Sequence, residues 1–260
     1  MKKLLLFVSA LSSVAFAQKA PRMQTFQDLV NAPKEHTKAP ADEKILGVTL
    51  WSDDFSTPAN WTIDNSGQTG AEFGWNINNT TEGWWSANGI SSTSGGNNAE
   101  LVNGDAQAAT QALNVTYTMT TAQAIDIAAL GGSNQVSIQF QQYGARFNDL
   151  QEIQISTNGN TWTTVGNNLD KSVLSQSGGS AYANPDLKTI NLATILPANP
   201  GNIWVRFSWT TNYPAQASNA NVWITYGWYI DNVKIKTNPT NDLSITSKYW
   251  GTAGLNYYQI

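Results

Sequence analysis

The sequence of 260 residues contains no cysteine and a single histidine, His36. Without cysteine, no disulfide framework stabilises the chain and no Cys-His catalytic arrangement can form. His36 lies in a stretch rich in lysine, alanine and proline that precedes the first predicted strand. The folded region is therefore predicted to lack a Ser-His-Asp triad and any histidine-based zinc or iron site.

Charge is also scarce, since charged residues make up 12% of the chain and the net charge is -4. This balance argues against a nucleic-acid-binding protein and against a polybasic membrane anchor. The chain is instead rich in aromatic residues and glycine, with 11 tryptophans, 9 tyrosines and 20 glycines. Such a composition favours β-strands and tight turns over helices.

The first 17 residues, MKKLLLFVSALSSVAFA, have the pattern of a secretory signal peptide. Two lysines precede an apolar stretch too short to span a bilayer, and Ala15 and Ala17 form an A-x-A cleavage site. No later segment is apolar enough to cross a membrane. We therefore expect a secreted or cell-surface protein.

Composition divides the rest of the chain into three parts. Residues 18–47 are predicted to be a leader or linker, and residues 48–237 to form one β-domain. Residues 238–260 begin a new strand-like pattern after the TNPTN segment. We expect a linker and the start of a truncated next module of a longer multidomain protein, and the alternative is a short docked tail.

Within residues 48–237, short runs of alternating apolar and polar residues indicate antiparallel strands with one packed and one solvated face. VSIQFQQY and IWVRFSWT are the clearest examples. EIQISTNGNTWTTVG predicts a hairpin in which Asn158 and Gly159 form a type I′ turn. The fold class predicted is all-β, a two-sheet antiparallel β-sandwich of jelly-roll type.

Asp231 stands out in the late segment YGWYIDNVKI. Strict alternation would place it on the same face as Val233 and Ile235, which is the more apolar one. A buried carboxylate is unfavourable unless it is hydrogen-bonded, paired with a cation or bound to a metal. The sequence therefore predicts a partner for this side chain.

Several segments together resemble the MAM-like, concanavalin-type jelly-roll modules of secreted bacterial adhesins, including the cleaved-adhesin and choice-of-anchor variants. They are DDFS with NWTIDNSG, FNDLQEIQISTNGNTWTTV, and IWVRFSW with YGWYIDNVKI. The resemblance spans about residues 48–237. It implies a non-catalytic sandwich in which structural calcium is often held where the first and last strands meet.

On this resemblance, Asp231 would lie beside Asp53 or Asp54 and share a calcium ion with them. Calcium suits several carboxylate and backbone oxygens without strict geometry. Asp64, in TIDNSG, matches a second acid-rich turn of these modules, although DNSGQTG offers one acid only. The alternative is that Asp231 accepts backbone N–H bonds while Asp53 and Asp54 are solvated.

A second set of residues is suited to sugars, because aromatic rings stack on C–H faces and amides bond hydroxyls. Trp204 and Arg206 lie on the polar face of one predicted strand, and Tyr143 and Gln141 on that of another. The loop after the strand that contains Trp204 and Arg206 adds Tyr213 and Trp223. The alternative is that these aromatic residues pack in the core or at the rim of the sandwich.

The function predicted is a calcium-stabilised, non-catalytic module for adhesion or carbohydrate binding, with glycans or host surface proteins as partners. One alternative is a structural or accessory domain of a larger exported enzyme. Another is a glycoside hydrolase, which needs two carboxylates on one face of a cleft. Asp149 and Glu152 flank the start of a predicted strand, but the tight acid triplet of such hydrolases is absent, and we expect a surface pair.

Overall fold

The structure is a computed structural model that describes residues 47–68, 73–79, 89–103, 115–175, 178–211, 213 and 226–239. These ranges contain one short 3₁₀ turn, Pro58–Asn60, and no α-helix. No helix within them is long and apolar enough to cross a membrane. The predicted signal peptide and nearly all of the predicted leader and C-terminal segment lie outside the described residues.

Strands account for the regular structure of the described chain. In order they are β1 Thr49–Asp53, β2 Trp61–Asp64, β3 Phe73–Asn78, β4 Asn98–Asn103, β5 Thr116–Thr121, β6 Ile125–Asp126, β7 Val136–Gly144, β8 Asp149–Ser156, β9 Thr163–Asn167, β10 Asp186–Asn191, β11 Asn202–Thr211 and β12 Trp228–Thr237.

The strands form two antiparallel sheets. In the first, which we call the β12 sheet, the order is β10-β7-β12-β4-β3, and β1 also pairs with β12. In the second, the β11 sheet, the order is β2-β5-β11-β8-β9, and β6 also pairs with β11. The predicted two-sheet antiparallel sandwich of jelly-roll type is confirmed.

The core lies between the two sheets and is rich in aromatic rings. Phe207 of β11 is central to it, because its ring lies 5.1 Å from that of Phe140 on β7 and 6.0 Å from that of Trp228 on β12. Trp75 of β3 reaches the opposite sheet and donates its indole N–H to the carbonyl of Tyr117 at 3.4 Å. Aromatic packing thus joins the two sheets.

Strand β11 has the alternation that the sequence predicts. Ile203, Val205, Phe207 and Trp209 are fully buried in the core. Trp204, Arg206 and Thr210 alternate with them and are partly exposed on the other face. This strand therefore presents an apolar face to the core and a polar face to solvent.

Strand β7 departs from the prediction of one solvated face, because all nine of its residues are buried. Val136, Ile138 and Phe140 face the core as expected. The opposite face is covered by the loop that leads into β4, where the Thr93 N–H donates to Gln141 Oε1 at 2.9 Å. A central strand can have polar residues on a face that is nevertheless shielded from water.

The predicted face of Asp231 is also wrong, because β12 contains a β-bulge between Asp231 and Lys234. Asn232 in the bulge has a φ of 51°, which shifts the alternation of the strand. Val233 and Ile235 therefore face the core together with Ile230, whereas Asp231 lies on the outer face opposite Gln141. Asp231 is nevertheless buried, with 1% of its surface exposed, because the loop that leads into β4 (residues 89–97, here called the β4 loop) covers it.

The predicted hairpin is present as β8 and β9, but its turn differs from the type I′ prediction. Only Gly159 of the predicted pair has a positive φ, at 75°. The connection from Ser156 to Thr163 is longer than a two-residue turn. Asn158 Oδ1 closes it by accepting the N–H groups of Asn160 and Thr161, at 2.9 and 2.8 Å, as in an Asx turn.

Candidate functional site

The outer face of the β11 sheet carries a row of polar side chains from neighbouring strands. Thr62 on β2 pairs with Thr120 on β5, which pairs with Arg206 on β11. Arg206 in turn pairs with Gln154 on β8. Residues paired in this way have side chains about 5 Å apart on the same face of a sheet. The row therefore forms a continuous surface of hydroxyl, guanidinium and amide groups.

The loop between β8 and β9 folds back over this surface and adds an aromatic wall. The Arg206 guanidinium carbon lies 3.6 Å from the centroid of the Trp162 ring, a stacked cation–π arrangement. Gly159, at the tip of the loop, packs on the indole of Trp204, since a Cβ there would lie 3.6 Å from Trp204 Cε2 and Cζ2. The loop thus places Trp162 against Arg206 and Gly159 against Trp204.

Between the loop and the sheet lies a cleft of about 250 Å³, which we call the Trp204 cleft. It is lined by Thr62, Asp64, Thr118, Thr120, Thr121, Gly159, Trp162, Trp204 and Arg206. Threonine hydroxyls form its floor, the two indoles form a wall, and one acid and one base complete it. Every lining side chain stands on a strand of the sheet or on the adjoining hairpin loop, so the site is built on a rigid scaffold.

Arg206 is fixed by two contacts. Its plane stacks on Trp162, and its Nε–H donates to Thr120 Oγ1 at 3.0 Å. Partial burial lowers the pKa of Arg206, and the nearby Asp64 carboxylate acts in the opposite direction. A guanidinium remains charged under such a shift. The Nη groups of Arg206 are therefore oriented hydrogen-bond donors at the cleft.

Asp64 ends β2 on the same face of the sheet. Its Oδ1 accepts the N–H of Ser66 at 2.9 Å, which fixes the carboxylate, and its Oδ2 has no partner among the described residues. The ion pairs within the described ranges are Lys171–Asp186 and Lys188–Asp170. Asp64 and Arg206 therefore face the cleft without forming a direct ion pair.

The predicted ligand residues are divided between the two sheets. Trp204 and Arg206 line the cleft together. Tyr143 and Gln141 lie on the outer face of the β12 sheet, where they are 8% and 6% exposed. The Tyr143 ring stacks on that of Tyr229, at 6.1 Å between centroids. Gln141 is covered by the loop that leads into β4, where the Thr93 N–H donates to Gln141 Oε1. Both predicted residues are therefore buried.

Tyr213, another predicted ligand residue, is not among the residues that line the cleft. Tyr213 follows β11, where its backbone N–H donates to the carbonyl of Asn148 at 3.2 Å. Trp223 lies outside the described residues.

The predicted metal residues are also divided. Asp231 Oδ2 accepts hydrogen bonds from the hydroxyls of Ser92 and Ser94, and Asp231 Oδ1 accepts the Asn232 N–H at 2.6 Å. Burial raises the pKa of Asp231, the three hydrogen bonds lower it, and the Asp54 carboxylate raises it. Asp54 is therefore near enough to interact with Asp231 electrostatically.

Asp53 and Asp64 have other roles. Asp53 Oδ1 accepts the Phe55 N–H at 2.8 Å and the Trp61 indole N–H at 3.0 Å, while Oδ2 accepts the Asn60 amide at 2.7 Å. These bonds fix the turn after β1. Asp64 belongs to the Trp204 cleft on the opposite sheet. In the described part of the chain, no three acidic or histidine side chains come together as a metal-ligand group.

The predicted hydrolase pair does not lie on the surface as a pair. Asp149 is 1% exposed and faces the core, whereas Glu152 faces outward from the same strand. On the outer face, Glu152 on β8 and Asp64 on β2 are separated by three strand spacings, or about 14 Å. A glycosidase pair stands about 5 to 9.5 Å apart. Asp149 and Glu152 cannot serve one cleft, because they lie on opposite faces of the sheet, and Glu152 is not among the residues that line the cleft with Asp64.

Sequence reasoning missed Trp162 and the threonine floor. The signal for the floor was present, because threonine recurs at every second position of TYTMTT and in WTID. Trp162 follows Gly159 in the loop between β8 and β9, and a side chain placed after such a turn can lie over the face of the sheet. Neither pattern specifies which strands become neighbours, so the cleft emerges only from the sheet order.

A scan against protein-family models finds no match, and a search of curated proteins finds none either. Among solved structures, the carbohydrate-binding module TmCBM61 in complex with beta-1,4-galactotriose matches with a TM-score of 0.38 and 9% identity, over 71% of this chain and 91% of that one.

Two further solved structures are similar at the same level. The CBM22-1 xylan-binding domain of Paenibacillus barcinonensis Xyn10C matches with a TM-score of 0.37 and 10% identity, over 75% of this chain and 97% of that one. The glycoside hydrolase domain of Endo-D from Streptococcus pneumoniae R6 matches with a TM-score of 0.33 and 6% identity, over 70% of this chain and 22% of that one. Similarities at these TM-scores carry no conclusion about the ligand of this chain.

Proposed function

We propose that the protein is a non-catalytic, exported carbohydrate-binding or adhesion module that binds glycans in the Trp204 cleft. The observation that carries the proposal is the arrangement of Trp204, Trp162 and Arg206 above a floor of threonine hydroxyls. The N-terminal signal-peptide pattern supports export to the cell exterior, where glycans are abundant.

The chemistry of the cleft fits a sugar ring. A pyranose has apolar C–H faces that pack on an indole and a rim of hydroxyls that both donate and accept hydrogen bonds. Trp204 offers the apolar surface, Arg206 offers donors, Asp64 offers an acceptor, and Thr118 and Thr120 offer both. Few other common ligands combine an apolar face with so many neutral hydroxyls.

The size of the cleft supports a short contact. Its volume of about 250 Å³ is below the usual range for drug-sized ligands, about 300 to 1,000 Å³. A single sugar ring, with the neighbouring units of a polysaccharide extending along the open sheet face, suits this volume. Binding without catalysis is supported by the lining of the cleft, which contains one carboxylate, Asp64, where a glycosidase needs two.

Removal of the Trp204 ring tests the proposal. The full chain is incubated with a panel of insoluble polysaccharides and immobilised matrix proteins, and the retained fraction is measured for the wild type and for Trp204→Ala. A buried tryptophan contact is often worth 2 kcal/mol or more, so we expect affinity for the bound polysaccharide to fall on the order of 30-fold.

Leu187→Ala is the matched control, because Leu187 is 48% exposed on the β12 sheet and lies away from the cleft. It is expected to bind as the wild type does. Polysaccharide binding that survives Trp204→Ala would place the glycan site elsewhere. Retention on matrix proteins alone would favour adhesion through another surface, and no retention by folded protein would favour a structural or accessory domain.

We also propose that calcium stabilises the β12 sheet, with Asp231 and Asp54 as its carboxylate ligands and the Ser92 and Ser94 hydroxyls nearby. Support comes from the convergence of both serine hydroxyls on one carboxylate oxygen and from the proximity of Asp54. A bound cation would offset the burial of Asp231 and the repulsion between the two acids. Asp53 does not fit this role, because its three donors are N–H groups, which cannot bind a cation. Two of the three donors at Asp231 are serine hydroxyls, whose oxygen atoms can.

The melting temperature in calcium and in chelator tests this site. A ligand at 100 times its Kd stabilises the folded state by about 2.7 kcal/mol, which is readily detected. We expect calcium to raise the melting temperature of the wild type and to have little effect on Asp231→Asn. Asp53→Asn is expected to retain the calcium response even if its turn is destabilised. An equal response of wild type and Asp231→Asn would mean that no calcium binds at Asp231.

A further inference from the structure

Building on the proposed carbohydrate function, we infer that the Trp204 cleft selects uncharged glycans and that Asp64 is the residue that rejects acidic ones. The inference rests on the charges at the cleft, their separation, and the hydrogen-bonding state of each.

The cleft contains one positive and one negative side chain, Arg206 and Asp64, and its other lining residues are neutral. Asp64 lies on β2 and Arg206 on β11, with β5 between them. Asp64 is two residues beyond Thr62, which is level with Arg206, so their backbones are about 12 Å apart. The threonine floor lies in the space between the two strands. The two charges therefore stand on opposite sides of the position that a ligand would occupy.

Both charged groups are held in place by the protein and keep free bonding capacity. Arg206 lines the cleft and is oriented by Trp162 and by Thr120, and its Nη groups have no partner within the described ranges. The Ser66 N–H holds one oxygen of Asp64, while the other oxygen has no partner within the described ranges. The cleft thus presents a fixed donor on one side and a fixed acceptor on the other.

A sugar hydroxyl group satisfies both sides, because it accepts from a guanidinium and donates to a carboxylate. Neighbouring hydroxyls of a neutral ring can bridge the two groups. A uronate or sulfate would gain a contact with Arg206, but it would also enter the same cleft as the Asp64 carboxylate, and like charges repel. An amino sugar would meet the converse problem at Arg206. Neutral rings are the class that suits both walls.

Two isosteric variants separate this role of Asp64 from a general effect of charge. Asp64→Asn removes the negative charge and retains an oxygen for the Ser66 N–H. Glu152→Gln removes the same charge from the same face of the sheet, but outside the cleft. Wild type and both variants are compared by affinity electrophoresis of the full chain on neutral β-glucan, neutral galactan and polygalacturonate, at low and high salt.

We expect the wild type to bind at least one neutral polysaccharide and to be excluded from polygalacturonate. Asp64→Asn should gain affinity for polygalacturonate on the order of tenfold at low salt, because the repulsion between close unit charges is removed. High salt should reduce this gain through screening. Glu152→Gln should behave as the wild type, and melting temperatures verify that both variants are folded.

The outcomes distinguish this inference from the function on which it rests. Wild-type binding to polygalacturonate in preference to the neutral polysaccharides would overturn the inference and leave a carbohydrate-binding function in place. An Asp64→Asn variant with no gain, or a Glu152→Gln variant with an equal gain, would also overturn it. If folded wild type binds no neutral or acidic glycan at any salt concentration, both the inference and the proposed function fail.

Discussion

Asp149 provides the sharpest stability prediction, because its carboxylate is the acceptor for three buried donors. Oδ1 accepts the Phe147 N–H at 2.6 Å, and Oδ2 accepts the Gln151 amide at 2.8 Å and the Trp209 indole N–H at 3.0 Å. The residue is 1% exposed, so water cannot replace the carboxylate. Truncation in Asp149→Ala would leave the N–H groups of Phe147 and Trp209 without an acceptor, and the Gln151 amide would keep only the Ala145 carbonyl at 3.4 Å.

The expected loss follows from these contacts. Each buried donor left unsatisfied lowers the free energy of unfolding by about 1 to 3 kcal/mol. The variant no longer buries a carboxylate, and the lost desolvation penalty offsets part of this sum. We expect Asp149→Ala to lower the free energy of unfolding by about 3 to 5 kcal/mol, which is a large share of a typical total of about 5 to 15 kcal/mol. Asp149→Asn keeps one acceptor oxygen and should show a smaller loss.

The pH dependence provides a second measurement at the same residue. Burial raises the pKa of Asp149 above its ordinary value of 3.8, while its hydrogen bonds and the charge of Arg146 lower it. Since the burial effect dominates, the folded state binds a proton more readily than the unfolded state. The contribution of this group to stability is therefore present below pH 3.8 and declines as the pH rises through the folded-state pKa.

Urea denaturation followed by tryptophan fluorescence measures both effects, at several pH values from 3.5 upward. Glu152→Ala is the control, because it lies on the same strand and faces outward, and it should change stability by no more than about 0.5 kcal/mol. A loss below about 1 kcal/mol for Asp149→Ala would refute the assignment of this carboxylate as the acceptor for the three donors. So would a difference between the wild type and Asp149→Ala that stays constant or grows as the pH rises.

Two further predictions concern the β12 bulge and the core. Asn232→Ala should lower the unfolding free energy by about 2 kcal/mol in urea, because alanine disfavours a φ of 51° and lacks the amide that donates to Gln141 and Thr93. Asn232→Gly should lose less, and an equal loss would mean that backbone strain contributes nothing. Phe207→Ala should lower the free energy of unfolding by about 3 to 5 kcal/mol, because the Phe207 ring contacts that of Phe140 between the sheets. A loss under about 1 kcal/mol in thermal unfolding would contradict its central place in the core.

The alternation of apolar residues predicted β11 well and β7 only in part, for a physical reason. Alternation reports which side of a strand packs on the core, and Phe140 and Phe207 both face it as expected. It does not report whether the other side is covered. Gln141 is shielded by Thr93, which lies 48 residues earlier in the chain, and no local pattern predicts that contact.

The candidate site was predicted in part for a similar reason. Trp204 and Arg206 were found because they share one face of one strand. Trp162 contacts Arg206 only because the hairpin loop turns back over the sheet, and Asp64 joins them only because β2 is a neighbour of β5. The bulge at Asn232 was within reach of the sequence, since asparagine is among the few residues that favour a positive φ.

The position of the last described strand has a consequence for how the chain folds. β12 lies in the middle of its sheet and pairs with β1, β4 and β7, so residues 228–237 contact segments as early as residues 49–53. Contacts between such distant segments give a high contact order, which is associated with slow folding. A chain that ends before β12 would expose unpaired edges of three strands, and such edges favour aggregation. The described β12 sheet therefore cannot be completed until synthesis has passed residue 237, so β1, β4 and β7 all wait for the same late partner.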